Sequence, residues 1–252
     1  MSHKPLVAAA AAVALLSAAV APARAEPVKN VVIVHGAFAD GSGWRRVAEI
    51  LAKDGYAVSV VQEPLTSLAD DVAATRRVLD LQQGPTLLVG HSYGGVVVTE
   101  AGDAPNVAGL VYIAAFIPDR GESAVALLAQ APPANNDMRA TKDDFLYLDP
   151  AAFPADFAAD LPPAEASFMA RSQAMPAKAA AGAPVTSAAW HRKKSWALVA
   201  TLDRNINPDL ERKMAERAGS ETIEVAASHA VYVSKPEDVA RLIERAAMAA
   251  GN

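Results

Sequence analysis

Several features are missing from the 252-residue sequence, and each absence excludes a class of function. There is no cysteine, so disulfide bonds, thiolate metal sites and a cysteine nucleophile are excluded. Lys and Arg number 23 against 28 Asp and Glu, so no positive field is present to attract nucleic acid. Neither phosphate-binding pattern, Gly-x-Gly-x-x-Gly or Gly-x-x-x-x-Gly-Lys, occurs, and we therefore expect no nucleotide cofactor. With 52% hydrophobic residues, the chain can still bury a sizeable core.

The first 25 residues resemble a secretory signal peptide. Residues 6–21 are apolar apart from Ser17, and Ala23-Arg24-Ala25 then supplies the small residues that a signal peptidase requires. The apolar run is shorter than the roughly 20 residues that a membrane-spanning helix needs. We therefore expect cleavage near Ala25, export to the periplasm or the extracellular space, and no stable membrane association afterwards.

From residue 28 onward, short apolar runs alternate with amphipathic stretches, which predicts an α/β fold. The continuous β-branched run at 31–34 is typical of a strand that is buried on both faces of a parallel sheet. Strands are expected at 31–34, 56–61, 86–89, 110–116, 196–201 and 222–225. Helices are expected from a cap at Ser42 to Gly55, from a capping box at Ser67 to about residue 82, and at 94–101, 208–218 and 236–249.

The alternation breaks off after Pro118. Eight of the 17 prolines lie between Pro132 and Pro184, in alanine-rich sequence with no clear strand, and such a density prevents long helices and continuous ladders. We therefore predict one domain over residues 26–252 with an insertion at about 119–189, a small cap of short helices over the sheet.

The stretch Gly90-His91-Ser92-Tyr93-Gly94 lies between a predicted strand and a predicted helix. In this context Gly-x-Ser-x-Gly is typical of a nucleophile elbow, a tight turn that holds the serine in strained backbone angles. Glycines are needed at 90 and 94 because a side chain there would collide with the neighbouring strand or helix. Ser92 is the predicted nucleophile.

A serine hydroxyl needs a base, and four histidines follow the signal peptide. His35 ends the first predicted strand, where it is expected to order the next loop by hydrogen bonding. His91 adjoins Ser92 in the sharp turn, so its side chain leaves in another direction, and His191 belongs to a basic run typical of a solvated surface. His229 follows the last predicted strand, at the carboxyl edge of the sheet where sites form. We predict His229 as the base.

The base in turn needs a carboxylate to orient it. Asp203 directly follows the predicted strand 196–201, which gives the chain order serine, aspartate, histidine expected with such an elbow. Asp119, just after strand 110–116, is the alternative, because the acid can also sit on the preceding strand. We favour Asp203.

Two backbone N–H groups are predicted to form an oxyanion hole. The loop that begins His35-Gly36-Ala37 can aim the N–H of Ala37 toward the nucleophile, and the N–H of Tyr93 follows the serine directly. Aromatic and sulfur-containing side chains nearby could line an apolar substrate pocket or, equally, form the core of the cap. These candidates are Phe38, Phe153, Phe157, Phe168, Met169 and Trp190.

Together the elbow, the His-Gly-Ala loop, Thr201-Leu202-Asp203 and Ser228-His229-Ala230 resemble the α/β-hydrolase superfamily. Within it the chain is most similar to the small-cap branch of plant methylesterases and hydroxynitrile lyases and to related bacterial esterases. The resemblance covers about 28–249 and is weakest over 119–189. It implies a mostly parallel eight-stranded sheet with helices on both faces, no cofactor, and cleavage of small, fairly hydrophobic carboxylic esters. The family's triad falls on Ser92, Asp203 and His229, and its oxyanion donors on Ala37 and Tyr93.

Two departures from this branch favour hydrolysis over cyanohydrin chemistry. The lyases carry Thr where this chain has Gly36 and Lys where it has Ala230. Two other classes stay open, namely a cofactor-free perhydrolase or haloperoxidase-like enzyme on the same triad, and a non-catalytic small-molecule binder. The expected binding partner is a small-molecule ester. The sequence does not indicate whether the chain is a monomer or an oligomer.

Overall fold

A computed structural model of the chain describes residues 1–3, 27–135 and 137–251. Apart from its first three residues, the predicted signal peptide lies outside the described residues. Within these ranges, no helix has the length and hydrophobicity needed to cross a membrane.

Six strands form one parallel sheet, and two short strands pair antiparallel elsewhere. The order across the large sheet is β2-β1-β3-β4-β7-β8, and β5 pairs only with β6. In chain order the strands are β1 (Asn30–Val34), β2 (Ala57–Val61), β3 (Thr86–Ser92), β4 (Val107–Ala115), β5 (Met138–Ala140), β6 (Leu146–Leu148), β7 (Ser195–Ala200) and β8 (Glu221–Val225).

The α/β class with a mostly parallel sheet is confirmed, but the eight-stranded sheet implied by the family resemblance is wrong for the described residues. The large sheet ends at β2 on one side and at β8 on the other, and both edge strands are only partly buried. The two remaining strands have three residues each and belong to the segment between β4 and β7.

Helices cover both faces of the sheet, as the alternation predicted. The α-helices are α1 (Arg45–Lys53), α2 (Leu68–Asp80), α3 (Gly94–Ala101), α4 (Ala124–Gln130), α5 (Phe153–Asp156), α6 (Pro163–Arg171), α7 (Lys178–Gly182), α8 (Pro208–Arg217), α9 (Val231–Ser234) and α10 (Pro236–Ala250). Val32 and Val34 of β1 face a core shared with α2, α3 and α8, whereas Val31 and Ile33 face a core shared with α1 and α10. This alternation explains why β1 has no polar face.

Two helix starts test the predicted caps. The Ser67 hydroxyl accepts from the N–H of Asp70 at 3.1 Å and begins α2, so Ser67 is confirmed as the N-cap. The Asp70 carboxylate accepts from the hydroxyls of Ser67 and Thr66. The cap at Ser42 is wrong. Asp40 accepts from the N–H of Ser42 at 2.8 Å and begins a 3₁₀ turn, Gly41–Trp44, before α1.

The segment between β4 and β7, here called the cap, contains α4 to α7 and the β5–β6 hairpin. The expectation that this segment has no strand is wrong. Its hairpin was hidden because β5 is exposed at all three positions and therefore shows no alternation. Backbone hydrogen bonds attach the cap to residues that follow the carboxyl ends of three strands: Phe38 donates to Ala174, Ala177 to Leu65, and Ala230 to Phe157. The cap therefore lies over the carboxyl edge of the sheet.

Candidate active site

Ser92 lies at the end of β3, where the chain turns sharply into α3. Its φ of 52° is in the left-handed region, which a non-glycine residue adopts only under strain. A Cβ atom at Gly90 would lie 2.6 Å from the Gly94 carbonyl oxygen, and one at Gly94 would lie 2.5 Å from the backbone oxygens of Val34 and His35. Only glycine at both places allows the strand, turn and helix to pack this closely.

His229 and Asp203 form a buried hydrogen-bonded pair. The Nδ1–H of His229 donates to Oδ2 of Asp203 at 2.5 Å, and both side chains are excluded from solvent. The other carboxylate oxygen accepts from the N–H groups of Asn205, at 2.7 Å, and Ile206, at 2.9 Å. The loop after β7 therefore fixes Asp203, and Asp203 fixes the imidazole with Nδ1 protonated.

The alternative acid, Asp119, lies elsewhere. It accepts from Nε2 of His191 at 2.9 Å, and both side chains are substantially exposed. Burial raises the pKa of the Asp119 carboxyl, but the hydrogen bonds from His191 and Arg120 lower it by more. The pKa of Asp119 therefore lies below its ordinary value. Of the two candidate carboxylates, the structure brings only Asp203 to His229.

The two remaining histidines support the turn and the loop around Ser92. Nε2–H of His91 donates to the carbonyl oxygen of His229 at 3.0 Å, which ties the residue before Ser92 to the backbone of residue 229. His35 donates from Nδ1 to the Gly36 oxygen at 2.8 Å and accepts at Nε2 from the N–H of Glu63 at 3.1 Å. Burial lowers the pKa of both imidazoles, so both are neutral structural groups at neutral pH.

A narrow cavity of about 70 Å³ contains Ser92 and His229 in its wall. Ala37 and Tyr93 also line it, and within the described residues neither of their N–H groups donates to a protein acceptor. Two unused N–H donors and a serine hydroxyl therefore share one cavity, the arrangement that an oxyanion hole requires.

Of the six predicted pocket residues, only Phe38 lines this cavity. The cap supplies its wall instead through side chains that sequence reasoning missed. The missed lining residues are Phe116, Ala124, Val125, Leu128, Asn135, Met138, Leu146, Pro176 and Ala181 from the cap, and Asn205 and Ile206 from the loop after β7. Two of these residues could have been found from the sequence, because Asn205 and Ile206 lie two and three positions after the predicted acid Asp203.

The other five predicted pocket residues lie in different places. Phe153 and Phe157 are fully buried and stack on each other at 4.7 Å, with Phe157 edge-on to the His229 ring at 4.8 Å. Trp190 is buried and donates from Nε1 to the Pro118 oxygen at 2.8 Å. These three are therefore core residues.

Phe168 and Met169 line a separate groove of about 480 Å³ between α6 and the start of α1. Phe168 is 63% exposed, and Phe38 contributes to both the groove and the cavity. Phe38 has a φ of 65° and donates its N–H to the Ala174 oxygen of the cap at 2.9 Å. Phe38 is therefore the residue that the walls of the two spaces share.

In the part of the chain that the structure describes, no cluster of three or more His, Asp or Glu side chains could hold a metal ion. Tyr93 donates its hydroxyl to Asp71, and burial raises the pKa of the Asp71 carboxyl.

Comparisons with known proteins agree with this architecture. A model of the alpha/beta hydrolase family matches residues 31–242. The chain is 36% identical over 118 residues to the carbendazim hydrolyzing esterase of Nocardioides sp. (strain SG-4G). That match covers 41% of this chain and 49% of the relative, so the chain spans about half the length of the curated relative it matches.

Solved structures extend the similarity over most of the fold. A pyrethroid hydrolase from Sphingobium faniae JZ-2 superposes with a TM-score of 0.73 at 20% identity, covering 87% of this chain and 97% of that one. Polyneuridine aldehyde esterase superposes with a TM-score of 0.74 at 16% identity, covering 87% and 99%. At these identities the likeness concerns the fold, and it includes the plant-esterase branch that the motifs resemble. With most of its length matched by the family model, the chain belongs to the alpha/beta hydrolase family.

Proposed function

We propose that the chain is a serine hydrolase that cleaves small, fairly hydrophobic carboxylic esters. Ser92 is the proposed nucleophile, His229 the base and Asp203 the acid that orients it. The strongest support is the buried 2.5 Å hydrogen bond between His229 and Asp203, because it keeps the proton on Nδ1 and leaves Nε2 free to accept another. Ser92 and His229 line the same cavity, so we infer that Nε2 of His229 can accept the proton of the serine hydroxyl there.

The proposed reaction is a two-step acyl transfer. Oγ of Ser92 bonds to the ester carbonyl carbon while its proton passes to Nε2 of His229, and the N–H groups of Ala37 and Tyr93 stabilise the resulting oxyanion. The bond to the alcohol oxygen then breaks, and the alcohol leaves with the proton from His229. Water attacks the acyl-enzyme by the same route in reverse, which releases the acid and restores the serine.

The shape of the site supports a small, apolar substrate. A cavity of about 70 Å³ is far below the roughly 300–1,000 Å³ of pockets that take drug-sized ligands, and its wall is mostly apolar. A longer ester would have to displace Phe38 to reach the neighbouring groove. The names of the relatives, a carbendazim hydrolyzing esterase and a pyrethroid hydrolase, support the cleavage of small molecules.

A fluorophosphonate probe tests the proposal directly. We expect covalent labelling at Ser92, no labelling of Ser92→Ala, and unchanged labelling of Ser172→Ala, which removes an exposed serine of the cap. The wild-type chain should also hydrolyse p-nitrophenyl esters of short acyl chains, and Ser92→Ala should lose nearly all of that activity. Peptide mapping of the labelled protein identifies the modified residue.

Two results would replace this function with one of the alternatives. Peroxide-dependent halogenation faster than ester hydrolysis would favour a perhydrolase or haloperoxidase-like enzyme on the same residues. Failure of the folded chain to react with the probe or with any ester would favour a non-catalytic binder.

We also propose that the chain is exported with cleavage near Ala25. The small-x-small pattern after the apolar run supports this. Expression of the full chain in a bacterium, followed by fractionation and N-terminal sequencing, should give a periplasmic or secreted product that begins at about Glu26. An intact N-terminus in the cytoplasmic fraction would contradict export.

A further inference from the structure

A second buried carboxyl group lies beside Asp203 and has no part in the reaction above. Glu211 is on α8 and is 2% exposed, and it hydrogen-bonds to Ala200, whose carbonyl oxygen accepts from the N–H of Asp203 at 3.1 Å. Oε2 of Glu211 accepts from the N–H of Ala200, at the end of β7, at 3.3 Å. Oε1 is buried and has no hydrogen-bond partner among the described residues.

The Asp203 carboxylate has room for one more hydrogen-bond donor. A carboxylate accepts at about four lone-pair positions. Three donors are present, the N–H groups of Asn205 and Ile206 and the Nδ1–H of His229. A protonated Glu211 would be the fourth donor, and the same proton would satisfy its own unpartnered oxygen.

The charges around Glu211 favour that protonated form. Burial, followed by the negative charge of Asp203, raises the pKa of Glu211 well above its ordinary value. Arg212 acts in the opposite direction, but its guanidinium lies on the exposed side of α8, where it binds Glu224 and Asp209. Two ionised carboxylates side by side in a buried site would repel each other strongly, and the imidazole of His229 is the buried neighbouring group that could balance their charge.

We propose that Glu211 is a positioning residue of the active site, which donates a hydrogen bond from its protonated carboxyl to the carboxylate of Asp203. The shared proton keeps the negative charge on the residue that orients His229. The catalytic consequence rests on the proposed function, whereas the shared proton itself does not.

The inference predicts a shift in the pH dependence of the reaction. A carboxylate that loses one donor becomes more basic and holds a protonated imidazole more strongly, so the base stays protonated to higher pH. Without the donor, we expect the acid limb of the kcat/KM profile to move up by about half a pH unit or more. We also expect kcat to fall by about tenfold with little change in KM, because no contact with substrate is removed.

Three variants separate this role from a merely structural one. Glu211→Met keeps the length of the side chain without a donor, so it should show both changes. Glu211→Gln keeps an N–H donor toward Asp203 and should restore kcat and the profile to near wild-type values. Glu216→Met, at an exposed position of the same helix, is the matched control. The inference is overturned if Glu211→Gln and Glu211→Met lose activity equally, or if Glu211→Met has the wild-type profile.

Infrared difference spectroscopy tests the protonation of Glu211 without a measurement of activity. At pH 7 the wild-type chain should show the C=O stretch of a protonated carboxyl that is absent from Glu211→Gln and still present in Glu216→Gln. This measurement holds even if Glu211→Met fails to fold or the wild-type chain hydrolyses no ester. Identical carboxyl bands in wild type and Glu211→Gln would overturn the shared proton, whereas an inactive wild type with the band present would overturn only the proposed function.

Discussion

The hydroxyl of Tyr93 donates a 2.8 Å hydrogen bond to Oδ2 of Asp71, a carboxylate that is completely buried. Oδ1 of the same carboxylate accepts from the N–H of Leu65 at 2.7 Å. Leu65 has a φ of 58°, and its carbonyl oxygen accepts from Ala177 of the cap. One buried side chain therefore connects the residue after Ser92 to the loop after β2, and through that loop to the cap.

Removing the hydroxyl of Tyr93 should lower the stability of the fold. Tyr93→Phe leaves Oδ2 of Asp71 buried without its donor, which typically costs about 1–3 kcal/mol. Asp71→Asn should cost less, because an amide can still bond to both Tyr93 and Leu65. Urea unfolding measures the difference, with Tyr147→Phe on the half-buried strand β6 as the control. A Tyr93→Phe variant as stable as the control would contradict a role for this bond.

Glu63 gives the fold a specific dependence on pH. Its carboxyl is buried, 3.5 Å from Nδ1 of His35, and neither oxygen has a hydrogen-bond partner in the described part of the chain. Burial, and then the charge of Asp71, raises the pKa of Glu63 well above its ordinary 4.5. Between that value and the raised one, the folded chain holds a proton that the unfolded chain has released. Stability from this group is therefore fully present below about pH 4.5 and is lost as the pH rises through the folded-state pKa.

Glu63→Gln should flatten this dependence. The variant cannot ionise, so its free energy of unfolding should fall less than that of the wild type between about pH 4.5 and pH 8. His35 does not produce the same slope, because burial lowers its pKa and its stability effect therefore has the opposite sign. Denaturant unfolding at a series of pH values checks this, with the exposed Glu49→Gln as control. If the free energy of unfolding of Glu63→Gln and of the wild type changes equally with pH, Glu63 is not the source of this dependence.

Asp203→Asn should be nearly inactive, whereas Asp119→Asn should behave like the wild type. The first change removes the acceptor that keeps the proton on Nδ1 of His229, and the comparable change in a well-studied protease triad costs about 10⁴ in kcat. The second disturbs an exposed pair with His191 and a local bond from the N–H of Arg120, both away from His229. Steady-state hydrolysis of a p-nitrophenyl ester compares the two, and an active Asp203→Asn beside a dead Asp119→Asn would reverse the assignment of the acid.

Local patterns explain why the turn at Ser92 and the strands of the parallel sheet could be predicted. The elbow is specified by neighbouring residues, since glycine at 90 and 94 is required by backbone contacts that any such turn makes. The placement of His229 followed from topology, because loops after parallel strands meet at one edge. The choice between Asp203 and Asp119 needed coordinates, since both follow strands and only side-chain packing separates them.

The cap and the buried acids could not be predicted in the same way. Helices of four to nine residues give too little periodicity to show which way Phe157 or Phe168 points, and one proved buried while the other is exposed. No sequence pattern marks Glu63 or Glu211 as buried, because carboxyl groups are rarely buried without a charged partner. Their burial depends on contacts between elements that are far apart in the chain.

Phe38 is expected to limit the size of the ester. It lines both the cavity of about 70 Å³ that contains Ser92 and the groove of about 480 Å³ beside Phe168. Phe38→Ala should join the two spaces, because the backbone of residue 38 stays anchored by its N–H to Ala174. For esters of one acid with alcohols of increasing size, we expect kcat/KM for the bulkiest relative to the methyl ester to rise about tenfold, equivalent to about 1.4 kcal/mol.

A matched control separates this effect from a general loosening of the aromatic residues. Trp190→Phe removes the hydrogen bond to Pro118 and destabilises the chain, but Trp190 lines neither space, so the ratio between bulky and methyl esters should not change. If Trp190→Phe raises the ratio as much as Phe38→Ala does, selectivity reflects the stability of the cap. If neither variant changes it, bulky esters do not enter past residue 38, and the groove is no part of the substrate site.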